Sequence, residues 1–281
     1  MGQIIDGKNL SKKVLLELKE EVDKLLEKNI VPTLAVILVG NDPASLVYVK
    51  NKENACKKLG IRSEQYILNE NATEDELLSL INKLNNDEKI DGILLQSPVP
   101  KHLNIGKAFA YISPEKDVDG FNPINVGRLS SGYPVFIPCT PLGIIKILNE
   151  YEIEIEGKNC TVIGRSNIVG KPMAQLLMNK NATVTVCHSK TKNLKEHTLN
   201  ADILVSAVGK PHFVTKDMVK PGAVVIDVGI SRTENGLIGD IDFDNVKELA
   251  SYITPVPGGV GPMTIAMLMN NVILSCKNRK D

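Results

Sequence analysis

Helix-period and strand-period segments alternate along almost the whole chain, and most strand segments are continuous apolar runs. TLAVILVG (33–40), DGILLQ (91–96), CTVIG (160–164), ADILVSAVG (201–209) and AVVIDVG (223–229) are apolar on both faces, and EQYIL (64–68) and ATVTVCH (182–188) add two more strands. Strands apolar on both faces must be covered on both, so the pattern implies parallel sheets flanked by helices. Leu10, Val14, Leu15, Leu18, Val22, Leu25 and Leu26 recur at three- and four-residue steps, an amphipathic helix. A second helix opens at Asn41-Asp42-Pro43 and closes at Gly60. Thr73 and Glu76 form a capping box for a third. Further helices are predicted over 142–151 and 169–179, and a last one over MTIAMLMNNVILSC (263–276). The Pro-, Gly- and Asn-rich stretch 114–141 reads as linker and loop. The expected fold class is α/β: two parallel-sheet α/β domains with a cleft between them, the second Rossmann-type. The expected boundaries are 1–141, 142–263, and a C-terminal helix 264–281 that returns to the first domain.

Length supports two cores, since 281 residues is long for one and 43% of them are hydrophobic. Lys+Arg and Asp+Glu number 33 each, which argues against a nucleic-acid partner. Cys56, Cys139, Cys160, Cys187 and Cys276 are scattered and odd in number, and His102, His188, His197 and His212 show no ligand spacing, so neither a disulfide scaffold nor a metal is expected. The start MGQIIDGKNL lacks an apolar signal core, Asp6 breaks the myristoylation pattern, and no run reaches membrane-spanning length. The expectation is a soluble cytoplasmic protein with no membrane partner.

In the second half, the CTVIG strand runs through Arg165-Ser166-Asn167-Ile168-Val169-Gly170 into a helix, the strand–turn–helix context of a dinucleotide site. Ser166 stands where a second glycine is usual, and its hydroxyl can meet phosphate at the helix's positive end. The following strand ends in Cys187-His188-Ser189-Lys190-Thr191, without the carboxylate that holds a ribose 2′-hydroxyl. Arg165, Ser189 and Lys190 suit a 2′-phosphate instead, which favours NADP. His188 is expected near the adenosine phosphate. Gly209, in the turn after the fourth strand, is expected near the nicotinamide ribose. With Gly164, Arg165, Ser166, Ile168, Ser189, Lys190 and Ile230 it makes up the expected cofactor-binding set.

Four segments are richer in polar or turn residues than a core requires: YVKNK, LLQSPVP, PEKDVDGFNP and TPVPGGVGPMT. With GRSNIVGKP and CHSKT they resemble, in order over the whole chain, the bifunctional methylenetetrahydrofolate dehydrogenase/methenyltetrahydrofolate cyclohydrolase family. The resemblance implies NADP⁺-dependent oxidation of 5,10-methylenetetrahydrofolate, then hydrolysis of the methenyl cation to 10-formyltetrahydrofolate, in the one-carbon metabolism that serves purine biosynthesis. It also implies tetrahydrofolate derivatives as ligands, a folate-binding first domain and a homodimer. The family's catalytic lysine maps to Lys52, its stacking tyrosine to Tyr48, its glutamine to Gln96 and its pterin-holding aspartate to Asp119. Pro257, Gly258 and Gly259 fall on the loop that passes close to folate.

Residues four apart share a helix face, so Tyr48 and Lys52 can face a ligand together while Lys50 points away. Lys52 can serve as a base kept partly neutral by burial, or as an ammonium that supports developing charge; both remain open. Asp117 reads as a turn cap. Two alternatives stand beside the main reading. One is a monofunctional NAD(P)-dependent dehydrogenase on methylenetetrahydrofolate or another small substrate. The other is a non-catalytic folate- or nucleotide-binding protein.

Overall fold

The computed structural model describes residues 2–234 and 236–280. It divides into two compact units, the chain up to Lys12 with Thr140–Thr264, and Lys13–Cys139 with the residues from Ile265 onward. Both are built on parallel sheets.

The first unit carries six parallel strands in the order Gln3–Ile4, Tyr252–Ile253, Val224–Asp227, Ile203–Ser206, Asn159–Ile163, Thr183–Cys187. Val162, Leu204 and Val225 are fully buried in its central strands. Helices Cys139–Glu150, Gly170–Asn179 and Leu194–Leu199 belong to the same alternation. The N-terminal segment, expected in the first domain, contributes the edge strand Gln3–Ile4 here. Two residues with exposed side chains leave no periodicity to read; backbone pairing with Tyr252–Ile253 places them.

The second unit centres on Thr33–Val39, buried at every residue, with Arg62–Leu68 on one side and Gly92–Leu95 on the other. Leu77, Ile81 and Leu84, one stripe of the Glu74–Asn85 helix, pack against this sheet with Ile93 and Leu95. The capping box at that helix is formed: Thr73 Oγ1 accepts from Glu76 N–H at 3.2 Å and Glu76 Oε2 accepts from Thr73 N–H at 2.7 Å.

The stretch expected as loop contains the helix Pro123–Ser130. Asn122 caps it by accepting from Ile124 N–H at 2.8 Å, and Pro123 occupies the first turn. Eight residues including Gly127 are too few for the apolar period to stand out. The last helix runs longer than expected, over Val260–Lys280. Among the described residues no helix is long and apolar enough to cross a membrane.

Candidate active site

The helix Pro43–Leu59 presents the first group of candidates. Asp42 caps it by accepting from Ser45 N–H at 2.7 Å, and Gly60 ends it in the left-handed region at φ 85°. Ser45, Val49, Cys56 and Leu59 are buried, and Lys52 stands half-buried in the middle of that stripe. Its Nζ donates to Gln96 Oε1 at 2.9 Å. Lys50, two residues back, is 65% exposed and pairs with Glu53 at 3.0 Å. Tyr48 keeps 41% of its surface exposed.

Gln96 follows the Gly92–Leu95 strand and is itself buried. Its N–H donates to Ile37 O at 2.9 Å and its amide nitrogen to Ser97 O at 2.8 Å, which turns Oε1 towards Lys52. The PEKDVDG segment lies along the same strand through a parallel bridge between Ile93 and Asp117. A side chain at position 92 would collide with Val118, so Gly92 is what lets this segment approach.

Asp117 is buried and accepts from Phe121 N–H at 3.1 Å, Asn122 N–H at 2.8 Å and Asn125 Nδ2 at 2.9 Å. Burial pushes its carboxyl up to about 6 against those three donors. Asp119, two residues on, is half-buried and accepts a weak thiol hydrogen bond from Cys139 at 3.7 Å. Burial raises its pKa, while the nearby Lys52 charge and the thiol oppose the shift. Lys52, Gln96 and Asp119 therefore form one electrostatic neighbourhood: an amine, an amide that orients it, and a carboxylate that accepts from the Cys139 thiol.

The other unit holds the remaining candidates. The Asn159–Ile163 strand ends at Gly164, whose φ of 119° and close approach to Ala207 O exclude a side chain. Ser166 Oγ accepts from Val169 N–H at 3.2 Å and Gly170 N–H at 3.3 Å where the Gly170–Asn179 helix begins. Arg165, Ser166 and Ile168 are exposed around that turn. His188 N–H donates to Thr191 Oγ1 at 2.8 Å and Lys190 N–H to His188 Nδ1 at 3.1 Å. This ordered turn leaves Ser189 and Lys190 exposed at the end of the neighbouring strand. Gly209, at φ 66°, and Ile230 are exposed at the carboxyl ends of the next two strands. Pro257–Gly259 is tied to the N-terminal segment, where Lys8 N–H donates to Gly258 O at 2.9 Å.

Comparison with known proteins decides the family. Residues 5–119 match the tetrahydrofolate dehydrogenase/cyclohydrolase catalytic domain and residues 138–280 its NAD(P)-binding domain. The chain belongs to the tetrahydrofolate dehydrogenase/cyclohydrolase family. It is 62% identical over 278 residues to the bifunctional protein FolD of Campylobacter hominis, covering 99% of this chain and 98% of that one. Of solved structures, the bifunctional FolD dehydrogenase/cyclohydrolase of Campylobacter jejuni is 54% identical with a TM-score of 0.98, covering 99% of this chain and 100% of that one. The Trypanosoma brucei enzyme, complexed with NADP cofactor and an inhibitor, is 39% identical with a TM-score of 0.95, covering 99% and 98%.

Within this family member the structure brings Lys52 and Gln96 into direct contact and sets Asp119 in their field, while Tyr48 lies one turn before Lys52. Gly164, Arg165, Ser166, Ile168, Ser189, Lys190, Gly209 and Ile230 lie in turns that follow parallel strands of one sheet, where α/β folds bind ligands. Sequence reasoning passed over Cys139, whose thiol reaches Asp119, and two buried carboxylates, Asp227 and Asp240, beneath the turns of Gly209 and Ile230. The one available signal was an acid closing the apolar run AVVID.

Proposed function

We infer that the chain is a bifunctional enzyme that oxidises 5,10-methylenetetrahydrofolate with NADP⁺ and hydrolyses the resulting methenyl cation to 10-formyltetrahydrofolate. The observation that carries this reading, in a chain of this family, is the half-buried Lys52 amine held 2.9 Å from the Gln96 amide oxygen.

Hydrolysis needs water delivered to an electrophilic carbon and its proton removed. Gln96 occupies one N–H of the Lys52 amine, and the nitrogen's lone pair in the neutral form is free to take that proton. Tyr48 offers a flat exposed surface for the aminobenzoyl ring. The Asp119 carboxylate, destabilised by burial, gains from N–H donors at the pterin edge. Pro257, Gly258 and Gly259 are assigned to folate on the family's PVPGGVGP pattern.

The chemistry of the exposed side chains fits NADP. Arg165, Ser189 and Lys190 offer cationic and hydroxyl donors, and the turn after Thr183–Cys187 has no carboxylate to oppose a 2′-phosphate. Gly164 and Ser166 would meet the pyrophosphate, and Ile168, Gly209 and Ile230 the rest of the dinucleotide. When bound, NADP⁺ supplies the hydride acceptor. We further propose a cytoplasmic homodimer that contacts through the nucleotide-binding unit; sedimentation at micromolar concentration tests the dimer.

The decisive assay mixes protein with 5,10-methylenetetrahydrofolate and NADP⁺. NADPH should accumulate, with methenyl absorbance rising and then decaying. NADPH without methenyl decay would favour the monofunctional reading, and no reduced nicotinamide with either NADP⁺ or NAD⁺ would refute the dehydrogenase.

A further inference from the structure

Asp227 and Asp240 are 3% and 0% exposed, at the carboxyl end of the sheet that carries the proposed NADP turns. Asp240 accepts from Ser206 Oγ at 3.0 Å, Val208 N–H at 2.7 Å and Lys210 N–H at 2.8 Å. Asp227 accepts from the N–H groups of Gly229, Asp240 and Ile241, each at 2.9 Å. Six donors converge on the two carboxyl groups. The packing leaves no slack: a Cβ on Gly229 would collide with Asp240, and one on Gly239 with Asp227.

Burying two carboxyl groups together is costly, and a fold that needed only a filled interior would do better with apolar groups. The arrangement does something an apolar pair cannot. It pulls the amide hydrogens of Val208, Lys210 and Gly229 inward. Gly209 is then held at φ 66° with open space where a Cβ would be, and Ile230 is left exposed.

We propose that Asp227 and Asp240 are positioning residues for the dinucleotide, fixing from beneath the two turns that present Gly209 and Ile230 to it. This rests on the NADP reading above. Replacing Asp240 by Asn turns one of its two acceptor atoms into a donor, so at least one amide of the 208–210 turn loses its partner.

The test is a fluorescence titration of NADPH into parent, Asp240→Asn and Ser206→Ala proteins, with KM for both substrates and Tm measured in parallel. Asp240→Asn should raise the NADPH Kd and the KM for NADP⁺ by about tenfold or more, and leave KM for methylenetetrahydrofolate within about twofold. Ser206→Ala, which removes a single donor, should raise the Kd by about two- to fivefold. An unchanged Kd in Asp240→Asn overturns the proposal. So does a rise in both KM values in step with a fall in Tm, which marks a purely structural pair. If Asp240→Asn does not fold, an unchanged Kd in Ser206→Ala overturns it. A parent that binds no NADPH refutes the cofactor reading itself, before any variant is compared.

Discussion

Lys52 interrupts a stripe, Ser45–Val49–Cys56–Leu59, that is otherwise buried, and its amine is spent on an amide rather than on a carboxylate. Lys50 spends its charge on Glu53 in solvent, where such pairs contribute little. Lys52→Met should therefore lower methenyl hydrolysis by about 10²–10⁴-fold, while Lys50→Met stays within about twofold of the parent. Decay of methenyl absorbance reads both, and equal losses would refute the assignment of faces. Asp117 shows what burial does to a carboxylate with a structural task. Its pKa is raised to about 6, so between about pH 4 and 6 the folded chain binds a proton that the unfolded chain has released. Its stability contribution is greatest below the unfolded value and is lost as pH rises through 6. The unfolding free energy of the parent relative to Asp117→Asn should fall by about 2 kcal/mol over that window. Paired urea titrations at pH 4 and 6.5 measure this; a difference that is flat or rises with pH would refute it.

At the scale of elements, the parts legible in the sequence are those whose cause is local. Asp42, Pro43 and Gly60 bound one helix, and Thr73 with Glu76 opens another, because caps and glycine turns act within four residues. What was not legible depends on segments far apart in the chain. The Gln3–Ile4 strand exists only through Tyr252–Ile253, and the donors to Asp227 and Asp240 come from the separate segments 206–210, 229 and 240–241. The Lys52–Gln96 contact joins a helix to a strand end and was reachable only through the family pattern. Gly92 is a further case, since its reason is Val118 packed over the Gly92–Leu95 strand on the way to Asp119. Gly92→Ala should cost about 1–3 kcal/mol through overpacking and raise KM for folate more than KM for NADP⁺. Denaturant midpoints with the two KM values test this, and a loss shared equally by both substrates would show that the segment does not hold Asp119.

For the molecule as a whole, the residues proposed for hydrolysis and those proposed for the dinucleotide's adenosine end lie in different compact units. Lys52 and Gln96 belong to the unit of the three-stranded sheet, and Ser189 follows a strand of the six-stranded sheet. The two activities should then respond separately to charge. Ser189 is exposed in the turn where NAD-type sites carry the acid that accepts from a ribose 2′-hydroxyl. A carboxylate there would repel a 2′-phosphate and accept from a hydroxyl, and the two effects act on the cofactor ratio in the same direction. Ser189→Asp should shift the kcat/KM ratio of NADP⁺ to NAD⁺ by about 100-fold towards NAD⁺, which corresponds to roughly 3 kcal/mol of differential binding. Methenyl hydrolysis, measured without cofactor, should remain within about twofold of the parent because Ser189 is not among the residues proposed for hydrolysis. A retained NADP⁺ preference would place the 2′-phosphate contact elsewhere, with Arg165 the next position to exchange. A parallel loss of hydrolysis would instead mean that the two units share more than a chain.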